Sequence, residues 1–174
     1  MYSPSRRTVG AASLLAAAIS FAGLAGGVAQ AVPAHTAPAA GSVAAAPFTP
    51  PGCRQSIATP EFIDKYNSVG GKDVLGCPTT GEMSTPDGKA QFMYFQDDRT
   101  GADSAIYVIG PRSAPGRPAF LITDRASTRG HGIFTKWRNS GFERGSYGYP
   151  TQDAVDSGAG YSAQQFHGGS LDNR

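Results

Sequence analysis

Few residues in this 174-residue chain are placed to do covalent chemistry. The three histidines, His35, His131 and His167, are scattered, and no His-x-x-x-His or Cys/His cluster offers metal-ligand spacing. No Gly-x-Ser-x-Gly or comparable setting for a nucleophile occurs. Glu82, Glu143 and Asp153 are the acids from which a glycosidase-type carboxylate pair would be drawn. Their simpler role is capping and surface solvation. Asp97, Asp98, Thr100 and Asp103 bunch several oxygens but lack the EF-hand series, so a solvated hairpin loop is expected rather than a calcium site. Gly168-Gly169 reads as a turn and not a phosphate cradle, because no helix follows it. Neither a cofactor nor a metal is expected.

What the chain does offer is aromatic. Tyr66, Trp137, Tyr147 and Tyr149, with Lys65 and Lys136, are the candidates for binding a glycan by ring stacking and a few polar contacts; Tyr94, Tyr107 and Tyr161 are weaker ones. Trp137 is the single tryptophan, and its plain reading is core packing; a stacking role needs an exposed indole face.

These residues belong to a pattern that occurs twice. Phe62, Ile63, Tyr66 and Val69 recur at helical spacing after Thr59-Pro60, where threonine can cap and proline suits the first helical position. Gly70 can stop this helix in the left-handed conformation, and Leu75-Gly76-Cys77-Pro78-Thr79 follows. In the second copy Ile133, Phe134 and Trp137 form the apolar face, Gly141 is the stop, and Tyr147-Gly148-Tyr149-Pro150-Thr151 is the turn. Lys65 and Lys136 lie 71 residues apart, Pro78 and Pro150 lie 72 apart, and Phe95 and Phe166 again 71. Strands are expected at 89–95, 105–109 and 119–123, the first two joined by a loop over 97–104. The second copy stops where its return strand should begin, leaving a half-built hairpin whose 166–174 edge can pair with another chain. The fold class is therefore α+β, a small repeat domain of short helix–turn–β-hairpin units.

The ends and charges set the context. Arg6 and Arg7 precede a long Ala/Gly-rich apolar stretch, and Ala29-Gln30-Ala31 supplies a small-x-small cleavage pattern. Residues 1–31 are thus read as a signal peptide, served by Sec or twin-arginine export, and not as a stable transmembrane anchor. Residues 32–52, rich in Ala and Pro, are expected to be a disordered tether. The domain proper is 53–174, with units at about 60–110 and 131–174 and an insertion at 111–129. The net charge of +2 comes from 15 basic and 13 acidic residues; removing Arg6 and Arg7 leaves 13 of each. That balance excludes a nucleic-acid partner. Cys53 and Cys77, the only cysteines in an exported chain, are expected to form a disulfide.

The ordered series resembles the LGFP repeat of actinobacterial exported proteins. That unit runs from an Ile-x-x-Lys-Trp helix through Gly-Gly, Leu-Gly-x-Pro-Thr, an acidic position and Asp-Gly-Lys/Arg to an aromatic strand and Phe-x-Gly-Gly-Ser. The first copy matches at Ile63, Lys65, Gly70, Gly71, Leu75, Gly76, Pro78, Thr79, Glu82, Asp87, Gly88, Phe95, Ile106 and Tyr107. The second matches at Ile133, Lys136, Trp137, Gly148, Pro150, Thr151, Phe166, Gly168, Gly169 and Ser170. Cys77 and Tyr149 stand where the motif has phenylalanine, and two units stand where the family strings several. The resemblance implies an exported, cell-wall-associated module that binds peptidoglycan or arabinogalactan. Two other functions fit the sequence: a small secreted wall hydrolase of glycosidase or amidase type, and an exported interaction or inhibitor domain.

Overall fold

In a computed structural model, residues 46–125, 132–158 and 161–173 are described, all within one compact unit spanning Gly41–Arg174. The expected leader, His35 and His131 lie outside the described residues.

Two short helices, α1 (Pro60–Ser68) and α2 (Lys72–Leu75), lead into a sheet built from β1 (Cys77–Pro78), β2 (Met83–Ser84), β3 (Ala90–Gln96), β4 (Asp103–Ile109) and β5 (Ala119–Thr123). Its order is β1-β3-β4-β5, with β2 further along the same side of β3 as β1, and every pairing is antiparallel. Helix α3 (Ile133–Asn139) and a single 3₁₀ turn (Phe142–Arg144) follow. A second sheet of order β6-β7-β8 uses β6 (Val155–Gly158), β7 (Tyr161–Phe166) and β8 (Gly169–Asp172). The α+β class holds.

Strand β4 explains the layering. All of Ser104–Val108 is buried, so both faces of the first sheet are covered. Ile106 and Val108 point to α1, with Phe62, Tyr66, Met93 and Phe95. Ala105 and Tyr107 point to α3, with Phe134, Trp137, Tyr149 and Phe166. The layers therefore run α1, first sheet, α3, second sheet.

The two helix–turn–strand segments make the same three contacts. Tyr66 Oη donates to Gly76 O at 2.8 Å, and Trp137 Nε1 donates to Gly148 O at 3.0 Å. The Tyr66 ring stacks on Phe95 at 5.4 Å and the Trp137 ring on Phe166 at 5.8 Å, both pairs inclined at 26°. Pro78 pairs with Phe95 and Pro150 with Phe166, while Thr79 N–H and Thr151 N–H donate to Tyr94 O and Gln165 O.

The outward faces differ. Toward α3, the β3–β4 pair presents Phe92, Tyr94, Ala105 and Tyr107. Counting back from Phe166, the face of β7 turned away from α3 carries Ala163 and Gln165. Large rings on the inner hairpin are replaced by small and polar side chains on the outer one.

Several expectations are corrected. The second hairpin is not half built: β8 returns along β7 from a two-residue turn at His167-Gly168, and Asn173 N–H extends the ladder to Ser162 O. The β3–β4 loop is shorter than expected, because Gln96 and Asp103 still pair and hydrogen-bond through their side chains at 3.1 Å. Thr59 does not cap α1 with its side chain; its hydroxyl donates to Glu82, whose carboxylate also accepts the N–H groups of Ala58 and Thr59 at 2.7 Å. Folded structure begins within the expected tether: Phe48 and Ile57 exchange backbone hydrogen bonds of 2.7 Å, and the Phe48 ring packs 6.3 Å from Tyr66. Gly70 and Gly141 do turn left-handed, at φ 98° and 100°.

The Cys53–Cys77 disulfide forms, across a sequence separation of 24. By limiting the unfolded chain, a loop of this size stabilises by about 3 kcal/mol. The 111–118 part of the insertion is held by Arg117, almost fully buried, which bonds Glu61 at 3.0 Å and Gln91 at 2.6 Å. Burial pushes the Glu61 carboxyl up, but its bonds to Arg117 and the backbone outweigh this and hold it below the usual range.

The second segment also seals the open edge of β5. Leu121 N–H donates to Asp153 Oδ1 at 2.8 Å, and Gln164 Nε2 donates to Leu121 O at 3.0 Å. Gln164 is buried, and its Oε1 has no partner among the described residues.

Candidate functional site

The structure separates the six glycan-binding candidates. Tyr66, Trp137 and Tyr149 are 1%, 0% and 7% exposed, so none presents a ring face to a ligand. Packing explains this: Trp137 and Tyr149 lie in the core on the α3 side of the first sheet, and Tyr66 in the core on the α1 side. Tyr107 is likewise fully buried. The Lys65 ammonium is bound to Asp153, which joins α1 to the residues after the second Gly-x-Pro-Thr turn.

Lys136 and Tyr147 are brought together. They line an open groove of about 550 Å³ between α3 and β8, with Asn139, Ser140, Ser170, Leu171 and Asp172. Lys136 Nζ donates to Asp172 O at 2.8 Å, and the Tyr147 ring stands edge-on to Phe166 at 6.1 Å. Ser140 Oγ donates to Trp137 O at 2.7 Å. The groove thus combines one accessible aromatic ring with amide, hydroxyl and ammonium groups. Such a lining suits a neutral, polar-edged ligand.

The acids named as a hydrolytic pair serve separate partners. Glu82 binds the residues before α1, Asp153 binds Lys65 and Leu121 N–H, and Glu143 accepts from Tyr107 Oη at 3.2 Å. Asp97 folds its carboxylate into its own loop, accepting from Arg99 N–H at 3.0 Å and Thr100 Oγ1 at 2.9 Å. These bonds, with the Arg99 N–H foremost, hold its carboxyl below the usual range. Among the described residues, no three His, Cys, Asp or Glu side chains gather as a metal site would need, and no helix is long and apolar enough to cross a membrane.

No protein-family model matches the chain, and comparison with curated proteins finds no similar sequence.

The residues between glycine and proline in the two Gly-x-Pro turns, Cys77 and Tyr149, both form cross-links. Cys77 carries the disulfide. Tyr149 Oη donates to Asp87 Oδ1 at 2.5 Å, reaching from the second turn to the Asp87-Gly88 turn before β3. Asp87 also accepts from Lys89 N–H and Thr85 Oγ1. The Tyr149 bond is the main reason that the Asp87 carboxyl falls from 3.8 to about 2, while burial, helped by the same bond, pushes the Tyr149 phenol up to about 12. A carboxyl lowered on folding stabilises above its unfolded value, and that contribution is lost as pH falls from near 4 toward 2. Replacing Tyr149 with phenylalanine should move the Asp87 pKa back toward 3.8, read from its carboxyl carbon shift by NMR. A value still near 2 would assign the effect to Lys89 and Thr85 alone.

Sequence reasoning missed Phe142. It is the one non-glycine residue at positive φ, 56°, among the described residues. The left-handed conformation costs a bulky residue about 1–2 kcal/mol. Its ring is held by Trp137 at 5.4 Å, Tyr94 at 6.3 Å and Phe134 at 6.4 Å. The one signal was Gly141 just before it, which marks an unusual backbone but does not reveal where the next ring goes.

Proposed function

We propose that this protein is an exported, non-catalytic module that associates with the cell wall and holds envelope glycan, peptidoglycan or arabinogalactan, in the α3–β8 groove. The two helix–turn–strand segments are read as copies of an LGFP-like unit. The recurring trio of ring, carbonyl and strand contacts supports that reading. The observation that carries the binding function is the groove itself, which gathers Tyr147, Lys136, Asn139 and Ser140 on one accessible surface. The disulfide fits an oxidising compartment, as export requires.

Co-sedimentation with purified peptidoglycan and with arabinogalactan-bearing walls tests the proposal. The protein should pellet with at least one of them. Substituting Tyr147 and Asn139 together by alanine should release most of it while the protein stays folded, with a melting temperature lowered only by the lost Tyr147–Phe166 contact. A wild-type protein that stays wholly in the supernatant overturns the reading.

A further inference from the structure

A second concavity lies at the junction of the two segments, on the side of α3 that faces the first sheet. It encloses about 210 Å³ between Tyr94, Phe134 and Phe142, with Thr79, Asp103 and Arg138 at its rim. Drug-sized pockets run to roughly 300–1,000 Å³, so this one has room for a single ring and not for a chain.

Three features restrict what that ring can be. Two half-buried rings, Tyr94 and Phe142, stacked at 6.3 Å, form the accessible aromatic wall, and the buried Phe134, edge-on to Tyr94 at 5.7 Å, backs it. The mouth carries one cation and one anion, paired: Arg138 Nη1 lies 3.3 Å from Asp103 Oδ2, with the two side chains 42% and 35% exposed. A paired rim favours neither an anion nor a cation, yet it offers planar donors and acceptors side by side. The Arg138 guanidinium also sits 5.5 Å from the Phe134 ring centroid, so its plane and the aromatic wall share one opening. The third feature is the backbone of Phe142, whose positive φ places its ring in this wall. Strain of this kind concentrates at ligand clamps.

We propose that this pocket binds one neutral pyranose ring, its C–H face against the aromatic walls and its hydroxyls on the Arg138–Asp103 pair. The ligand class rests on the glycan reading above, but the residues are different and the site is separate from the α3–β8 groove.

The test titrates the purified protein with N-acetylglucosamine and its tetramer, following NMR shifts and the fluorescence of Trp137, which lies 5.4 Å from Phe142. Saturable shifts should centre on Tyr94, Arg138 and Phe142. Arg138→Ala should weaken binding at least tenfold at unchanged melting temperature. Thr79→Trp, which fills the mouth from an exposed position, should do the same, whereas Tyr147→Ala should remove only shifts around the α3–β8 groove and leave those at Tyr94, Arg138 and Phe142. Shifts that are absent at Tyr94, Arg138 and Phe142, or that map only to Tyr147 and Asn139, overturn the pocket. Wall co-sedimentation separates the two ideas. If Arg138→Ala and Thr79→Trp pellet like wild type and no sugar titrates the pocket, the pocket fails while wall binding stands. If the pocket titrates but the wild type never pellets, wall binding fails and the pocket stands.

Discussion

Trp137→Ala should destabilise the protein by about 3–5 kcal/mol, the range for removing a buried large ring. The side chain is fully buried, and its ring meets Tyr107 at 5.1 Å, Phe142 at 5.4 Å and Phe166 at 5.8 Å. The substitution therefore opens a cavity at the point where the first sheet, the 3₁₀ turn and the second sheet all converge. It also leaves Gly148 O without its 3.0 Å donor. Against a total stability of 5–15 kcal/mol for a typical domain, this loss approaches unfolding. Trp137→Phe keeps most of the packing and removes the donor, so it should cost clearly less. Denaturant melts of both variants check this. Equal losses would mean that the hydrogen bond, and not the ring, holds the junction together.

The second large effect is expected at Gly76. It lies at φ 73°, and a Cβ there would stand 1.8 Å from Gln96 O, a backbone atom in the paired strand β3. Alanine must therefore bear the left-handed cost of about 1–2 kcal/mol and also push β1 away from β3. The displaced residue is next to Cys77, so the disulfide resists the movement. A total of about 3 kcal/mol or more is expected, within the range for severe backbone substitutions. Gly88→Ala is the control. It has a similar φ of 70°, but its Cβ would meet nothing within 4 Å. Only the conformational cost should appear there. If the two variants melt alike, close approach of the strands is not what requires Gly76.

The sequence made some of this legible, and the reasons are specific. β5 was read residue for residue, because five apolar or β-favouring residues sit between Pro118 and Asp124. β3 and β4 were read short at the loop end, where polar Gln96 and Asp103 continue the pairing. β6 carried no alternation to detect, and β8 begins with glycine and serine, so both exist through pairing with β7 and not through propensity. Of the six candidates picked out by spacing, the fold brings Lys136 and Tyr147 into one groove. Spacing could not say that Tyr66, Trp137 and Tyr149 turn inward, because a large ring serves a core and a ligand platform equally well in one dimension. The Arg138–Asp103 rim was invisible for a similar reason: 35 residues separate two charges that meet only when α3 lies on the sheet.

The second sheet keeps one face for solvent. The face of β7 turned away from α3 offers Ala163 and Gln165 where β3 offers Phe92 and Tyr94. A further helix laid there would find no rings to bury. With Ala163 half-buried and Gln165 exposed, that face meets water instead of another layer. Aromatic rings placed at Ala163 and Gln165 would turn that wetted face into an adhesive one.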